Sequence, residues 1–151
     1  YTGDQRLHDA PHSDLRRARA AALSIIPTTT GAATAVTKIL PHLNNKLVGS
    51  ALRVPVSDGS LTELVLTVKN TKTREEINSA FKKATDSHLK NIVEYNEDPI
   101  VSIDIVGNPA SCIFDSELTQ VLGNTIKISG WYDNEIGYSN RLVDLAILIS
   151  K

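Results

Sequence analysis

The apolar residues of this 151-residue chain change period several times, without the regular strand–helix–strand alternation that builds a parallel sheet. Ala32, Ala33, Val36, Ile39 and Leu40 recur at helical spacing until Pro41 stops them. Leu47 to Val54 reads as a strand, broken by Pro55. Leu61 to Lys69 reads as a second strand after the Asp58-Gly59 turn, so the two can pair as a hairpin-like unit. Thr73 with Glu76 three residues on forms a capping box, and Ile77, Ala80, Phe81 and Ala84 make one face of the helix behind it. Ile100 to Ile105 alternates as a half-buried strand, and Ser111 to Phe114, Thr119 to Leu122 and Thr125 to Trp131 are further strands. Tyr138 or Ser139 opens a last helix, with Leu142, Val143, Leu145, Ala146 and Ile149 as its buried stripe. The pattern predicts one α+β domain with a mixed, largely antiparallel sheet.

Charge and composition narrow the function. Sixteen Lys/Arg against 17 Asp/Glu leave a net charge of −1, so no basic field exists to hold nucleic acid. The single cysteine, Cys112, excludes an internal disulfide framework and a cysteine zinc cluster. No apolar run reaches the ~20 residues of a membrane span, and no export signal opens the chain, which points to the cytoplasm. A start at Tyr1 rather than Met reads as a piece of a longer protein.

The polar residues worth weighing cluster early. Four of the seven arginines (Arg6, Arg16, Arg17 and Arg19) fall in the opening segment, where Asp14 can cap a short helix over Leu15 to Leu23. Thr28-Thr29-Thr30-Gly31 places hydroxyls, backbone N–H groups and a glycine at the start of a helix, a site suited to phosphate or simply a threonine cap. The arginines can serve the same anion or form a solvated face. Arg53 lies inside an apolar strand, where a charge must be paired or face a cleft. Near the end, Trp131-Tyr132-Asp133-Asn134-Glu135 joins a strand to a helix, so Asn134 can offer its amide to a ligand, or Asp133 or Asn134 can cap that helix. His8 and His12 read as loop histidines and Cys112 as an inert strand thiol; no metal site is expected. There is no GxGxxG, no Walker motif and no HExxH.

Taken in order, Tyr-Thr-Gly-Asp-Gln at 1–5, Asp-Leu-Arg-Arg-Ala-Arg-Ala-Ala-Ala at 14–22, Ile-Ile-Pro-Thr-Thr-Thr-Gly-Ala-Ala at 25–33, Leu-Arg-Val-Pro at 52–55 and Trp-Tyr-Asp-Asn-Glu at 131–135 resemble the catalytic, C-terminal domain of phosphorylating glyceraldehyde-3-phosphate dehydrogenases. The resemblance implies a large mixed sheet with helices on one side, and an arm over residues 1–27 matching the family's S-shaped loop. It places Thr2 and Arg17 at the phosphate of glyceraldehyde 3-phosphate, Thr30 and Gly31 at inorganic phosphate, and Arg53 at both. It places Asn134 at the nicotinamide carboxamide of NAD and Tyr138 beside the same cofactor. Pro11 resembles the NAD-preferring members. Ile136 and the stretch Val56 to Ser60 depart from the family pattern, at positions that carry none of these roles.

By the same resemblance, the family's nucleophilic cysteine and activating histidine lie upstream of Tyr1, and Cys112 does not match the nucleophile's motif. The dinucleotide-binding domain is absent as well. The chain is therefore expected to be part of an oxidoreductase that converts glyceraldehyde 3-phosphate to 1,3-bisphosphoglycerate in glycolysis, a homotetramer when whole, and inactive as this piece alone. Two other readings remain open: part of an erythrose-4-phosphate dehydrogenase, and a non-catalytic oligomerisation or interaction domain.

Overall fold

A computed structural model describes residues 1–150, which form two compact units, Tyr1–Ser57 and the chain from Asp58 onward. In the first unit, β1 (Ile26–Thr28) pairs antiparallel with β2 (Ala51–Arg53), aligning Ile26 with Arg53 and Thr28 with Ala51. Pro27 fits this ladder because a two-stranded ribbon leaves each strand an outer edge where a missing N–H does no harm. Helix α1 (Ala32–Ile39) follows β1, and Pro41 opens the next turn as expected. Ala21 and Ile26 are the buried apolar residues of this unit.

The opening arm differs from expectation. No helix forms over Leu15 to Leu23; only a single 3-10 turn, Ala21–Leu23, is regular. Asp14 Oδ1 does accept the Arg16 N–H at 2.9 Å, but Arg6 and Ala10 donate their N–H groups to the carbonyls of Arg17 and Ala18. Those long-range bonds take carbonyls that a helix would have used.

The second unit is built on a four-stranded sheet in the order β3-β6-β5-β4, where β3 is Ser60–Thr67, β4 Val93–Asn96, β5 Cys112–Leu122 and β6 Thr125–Tyr132. The β3–β6 and β5–β6 pairs are antiparallel and β4–β5 is parallel, so the sheet is mixed and the class is α+β. Helix α2 (Arg74–Thr85) starts at the expected capping box: Glu76 N–H donates to Thr73 Oγ1 at 3.2 Å and Thr73 N–H to Glu76 Oε2 at 2.8 Å. The helix lies on β4 and β5, with the Phe81 ring stacked on buried Phe114 at 3.9 Å. Ile105, Ala110 and Ile113 form the centre of the core, with Ile100 and Trp131 packed against them. Among the described residues, no helix is long and apolar enough to cross a membrane.

Several expected elements are redrawn. The hairpin between Leu47–Val54 and Leu61–Lys69 does not form, because β2 takes β1 as its partner and β3 takes β6. Ile100 to Ile105 is not a strand. Asp104 Oδ2 accepts the Val101 N–H at 2.7 Å and closes a 3-10 turn, Ser102–Ile105, which buries Ile105 and exposes Ile103. The expected strands Ser111 to Phe114 and Thr119 to Leu122 merge into one strand, β5, which starts at Cys112 and carries an irregularity between Asp115 and Gln120. The last helix, α3, begins at Ile136 and ends at Ile149. Its expected buried stripe is exposed: Leu142, Val143, Leu145 and Ile149 range from 49% to 77% accessible.

Candidate functional site

Thr2, Arg17, Thr30, Gly31 and Arg53 all belong to the first unit, and its local structure gathers them around the β1–β2 ribbon. Arg17 Nε donates to Thr28 Oγ1 at 2.8 Å and its Nη2 to Thr29 Oγ1 at 3.4 Å. Asp14 lies 3.5 Å from the same guanidinium. The resemblance groups Arg17 with Thr2 and the residues themselves group it with the Thr28–Gly31 run; the folded chain puts its guanidinium on Thr28 and Thr29, the hydroxyls leading into Thr30 and Gly31. Arg19 is turned elsewhere, toward Asp9 Oδ2 at 3.1 Å.

Thr30 Oγ1 accepts the Ala32 N–H at 3.2 Å, and the Gly31 carbonyl accepts from Ala35 at 2.9 Å. The N-cap of α1 is Gly31, which makes no side-chain cap bond, so Thr30 reaches only the first N–H of the helix. Gly31 has a φ of −81°, so its glycine is not required by the backbone. A Cβ built there would meet nothing within 4 Å, leaving open space in front of α1.

Arg53, half-buried on β2, has its Nε shielded from solvent and without a hydrogen-bond partner among the described residues. Such a donor is rarely left unpaired. The Tyr1 nitrogen donates to the carbonyls of Val54 at 3.2 Å and Val56 at 2.7 Å, which lays Thr2 along the chain leaving Arg53. Thr2 Oγ1 in turn donates to Gln5 Oε1 at 3.1 Å.

Asn134 and Tyr138 belong to the second unit. Asp133, not Asn134, holds the start of α3: its Oδ1 accepts the N–H groups of Glu135 at 2.9 Å and Ile136 at 2.8 Å, and its Oδ2 that of Gly107 at 2.8 Å. These donors, Glu135 first, hold the buried Asp133 carboxyl below the usual carboxylate range. Freed from capping, the exposed Asn134 side chain accepts a 2.6 Å bond from Ser60 Oγ at its carbonyl, which leaves the NH2 to donate. Tyr138, on the first turn of α3, is 69% accessible.

Cys112 sits half-buried on β5, and burial pushes its thiol pKa up, the opposite of what a nucleophile needs. His12 Nδ1 accepts the Asp14 N–H at 2.9 Å, a loop contact. Sequence reading missed Gln5 and Ser60, which hold Thr2 and Asn134. The Thr-x-x-Gln spacing at 2–5 carried a signal for the first; nothing local points from Ser60 to a residue 74 positions on.

The family profile described as glyceraldehyde 3-phosphate dehydrogenase, C-terminal domain, matches residues 1–134. The chain belongs to that family. Among its relatives, the glyceraldehyde-3-phosphate dehydrogenase of Streptomyces coelicolor is 61% identical over 151 residues, which is 99% of this chain and 45% of the relative. Glyceraldehyde-3-phosphate dehydrogenase 2 of Streptomyces avermitilis is 59% identical over 150 residues, with the same shares covered. The Mycobacterium avium glyceraldehyde-3-phosphate dehydrogenase is 57% identical over 151 residues, covering 100% of this chain and 44% of the relative. The chain thus spans a little under half the length of these glyceraldehyde-3-phosphate dehydrogenases. The mixed α+β sheet described above is the family's C-terminal domain.

Proposed function

We propose that this chain forms the phosphate-binding half of a glycolytic, NAD-dependent glyceraldehyde-3-phosphate dehydrogenase that oxidises and phosphorylates its substrate to 1,3-bisphosphoglycerate. The observation that carries this reading is the cationic, hydroxyl-rich cluster of the first unit. Arg17 is seated on Thr28 and Thr29, and Arg53 has an unpaired buried Nε on the neighbouring ribbon strand. Guanidinium groups bind phosphate oxygens with parallel, charge-assisted bonds, and Thr30, Gly31 and Thr2 add hydroxyls and open space. Arg53 serves both phosphates and the others one each.

NAD, when bound, accepts a hydride from the substrate. Asn134 suits its carboxamide, because the Ser60 bond orients the amide and leaves the NH2 as donor. Tyr138 offers an exposed ring on the first turn of the helix that follows Asn134. No nucleophile or general base is assigned to a residue of this chain, and the raised thiol pKa of Cys112 supports leaving it without that role. The large apolar residues exposed along the arm, Leu7, Leu15, Leu23 and Ile25, support its burial against another subunit of a homotetramer. The enzyme is read as cytoplasmic.

The test compares kcat/KM of the full-length enzyme for glyceraldehyde 3-phosphate and erythrose 4-phosphate, with and without inorganic phosphate. Preference for the triose, dependence on phosphate, and a raised KM for phosphate in Arg53→Ala are expected. Preference for erythrose 4-phosphate would shift the assignment to the sister enzyme. No turnover on either would leave the domain an assembly element.

A further inference from the structure

The buried amide of Gln5 controls what the Thr2 hydroxyl can do. Gln5 is 5% accessible, unusual for an amide in an otherwise exposed arm. Its Oε1 accepts both the Thr2 N–H at 3.0 Å and the Thr2 hydroxyl at 3.1 Å. The orientation of the amide is fixed by chemistry, because the backbone N–H is a donor only and requires the oxygen, not the NH2, to face it. The hydroxyl beside it must then donate to that same oxygen. Thr2 Oγ1 also accepts the Asp4 N–H at 3.3 Å, and Gln5 N–H returns to the Thr2 carbonyl at 3.2 Å, which closes a tight turn around Thr2. Gln5 Nε2 stays shielded and without a partner among the described residues, so the fold tolerates an unsatisfied amide to keep Oε1 on Thr2.

We infer that Gln5 is a positioning residue for the substrate-phosphate contact, acting only through Thr2; this rests on the assignment of Thr2 to that phosphate. With the hydroxyl proton on Gln5, Thr2 presents a lone pair outward, which repels a phosphate oxygen. Phosphate binding therefore turns the hydroxyl from Gln5 to the anion. Oε1 keeps the Thr2 N–H throughout, so the turn and the Thr2 rotamer stay in place while the proton changes partner. Gln5 itself, sealed from solvent, makes no contact with the ligand.

The test uses the full-length enzyme carrying Gln5→Met, which keeps length and volume and removes the acceptor, alone and combined with Thr2→Val. Gln5→Met should raise KM for glyceraldehyde 3-phosphate about 2- to 12-fold, the worth of the Thr2 N–H bond to Oε1 that fixes the turn, since the hydroxyl bond is given up on binding in any case. It should leave kcat, KM for inorganic phosphate and KM for unphosphorylated glyceraldehyde unchanged, and add nothing in the Thr2→Val background. An equal effect on unphosphorylated glyceraldehyde, or additivity with Thr2→Val, would show that Gln5 only supports the fold. An unchanged KM in Thr2→Val alone would remove the phosphate assignment and the inference with it. If Gln5→Met fails to fold, Gln5→Asn, which draws the acceptor back by one methylene, gives the same readouts.

Discussion

Arg17 reaches across eleven residues to donate from Nε to the buried Thr28 Oγ1 at 2.8 Å, joining the opening arm to the strand that leads into α1. The bond orients the planar guanidinium, whose Nη2 also donates to Thr29 Oγ1. A lysine at this position carries the charge without the fork. Arg17→Lys in the full-length enzyme should therefore keep the fold and raise KM for glyceraldehyde 3-phosphate by about tenfold, the worth of one charge-assisted bond. Equal KM values for glyceraldehyde 3-phosphate in the two enzymes would remove Arg17 from the site.

Arg53→Ala should be the more severe change. Its Nε has no partner to lose among the described residues, so stability should move little, while both phosphates lose a charge-assisted bond of ~1.5–3 kcal/mol. KM for substrate and for inorganic phosphate should both rise at least tenfold, against one of the two for Arg17→Ala. Identical profiles for the two variants would contradict the shared role.

Two glycines separate function from fold. Gly31→Ala places a methyl in open space at a negative φ, so the melting temperature should stay within about 2 °C while phosphate affinity drops. Gly59→Ala meets the Ser102 carbonyl oxygen at 2.5 Å with φ at +89°, a backbone clash in a left-handed conformation. It should destabilise by about 1–3 kcal/mol. Thermal unfolding of both variants decides the matter; a destabilised Gly31→Ala would mean that the cradle is structural.

Asp133 gives the pH dependence a sign. Its three backbone donors favour the charged form, so its folded pKa lies below the value of ~3.9 of an unfolded aspartate. The contribution is fully present above that value and is lost as pH falls through the lower, folded one. Asp133→Ala should cost about 2 kcal/mol at neutral pH and raise hydrogen exchange at Glu135 and Ile136. The gap to wild type should close on acidification below ~pH 4. A gap independent of pH would mean that packing, not the carboxylate, holds the helix start.

Cys112→Ser should leave turnover of the full-length enzyme intact, because the buried thiol has its pKa pushed up and sits against Gly130, whose Cβ would approach Sγ to 2.5 Å. Loss of turnover with an unchanged melting temperature would assign the thiol a chemical role.

Local chemistry decided much of this protein. The capping box at Thr73 and Glu76, the stop at Pro41 and the left-handed turn at Gly59 depend on neighbours a few residues away, and all three are legible in the chain. So is the family, because its motifs are contiguous runs. What the tertiary structure decided depends on distant partners. β1 and β2 find each other across a helix and a turn, and Asp104 diverts an alternating segment into a 3-10 turn. The arm gives up its helix because Arg6 and Ala10 claim the carbonyls of Arg17 and Ala18. Arg17 was readable as a cation, but only folding chose Thr28 and Thr29 as its partners, since a flexible side chain carries no record of which hydroxyls will be within reach. The same holds for Gln5: its type and spacing were in plain view, and its burial, which makes it a positioning residue, was not.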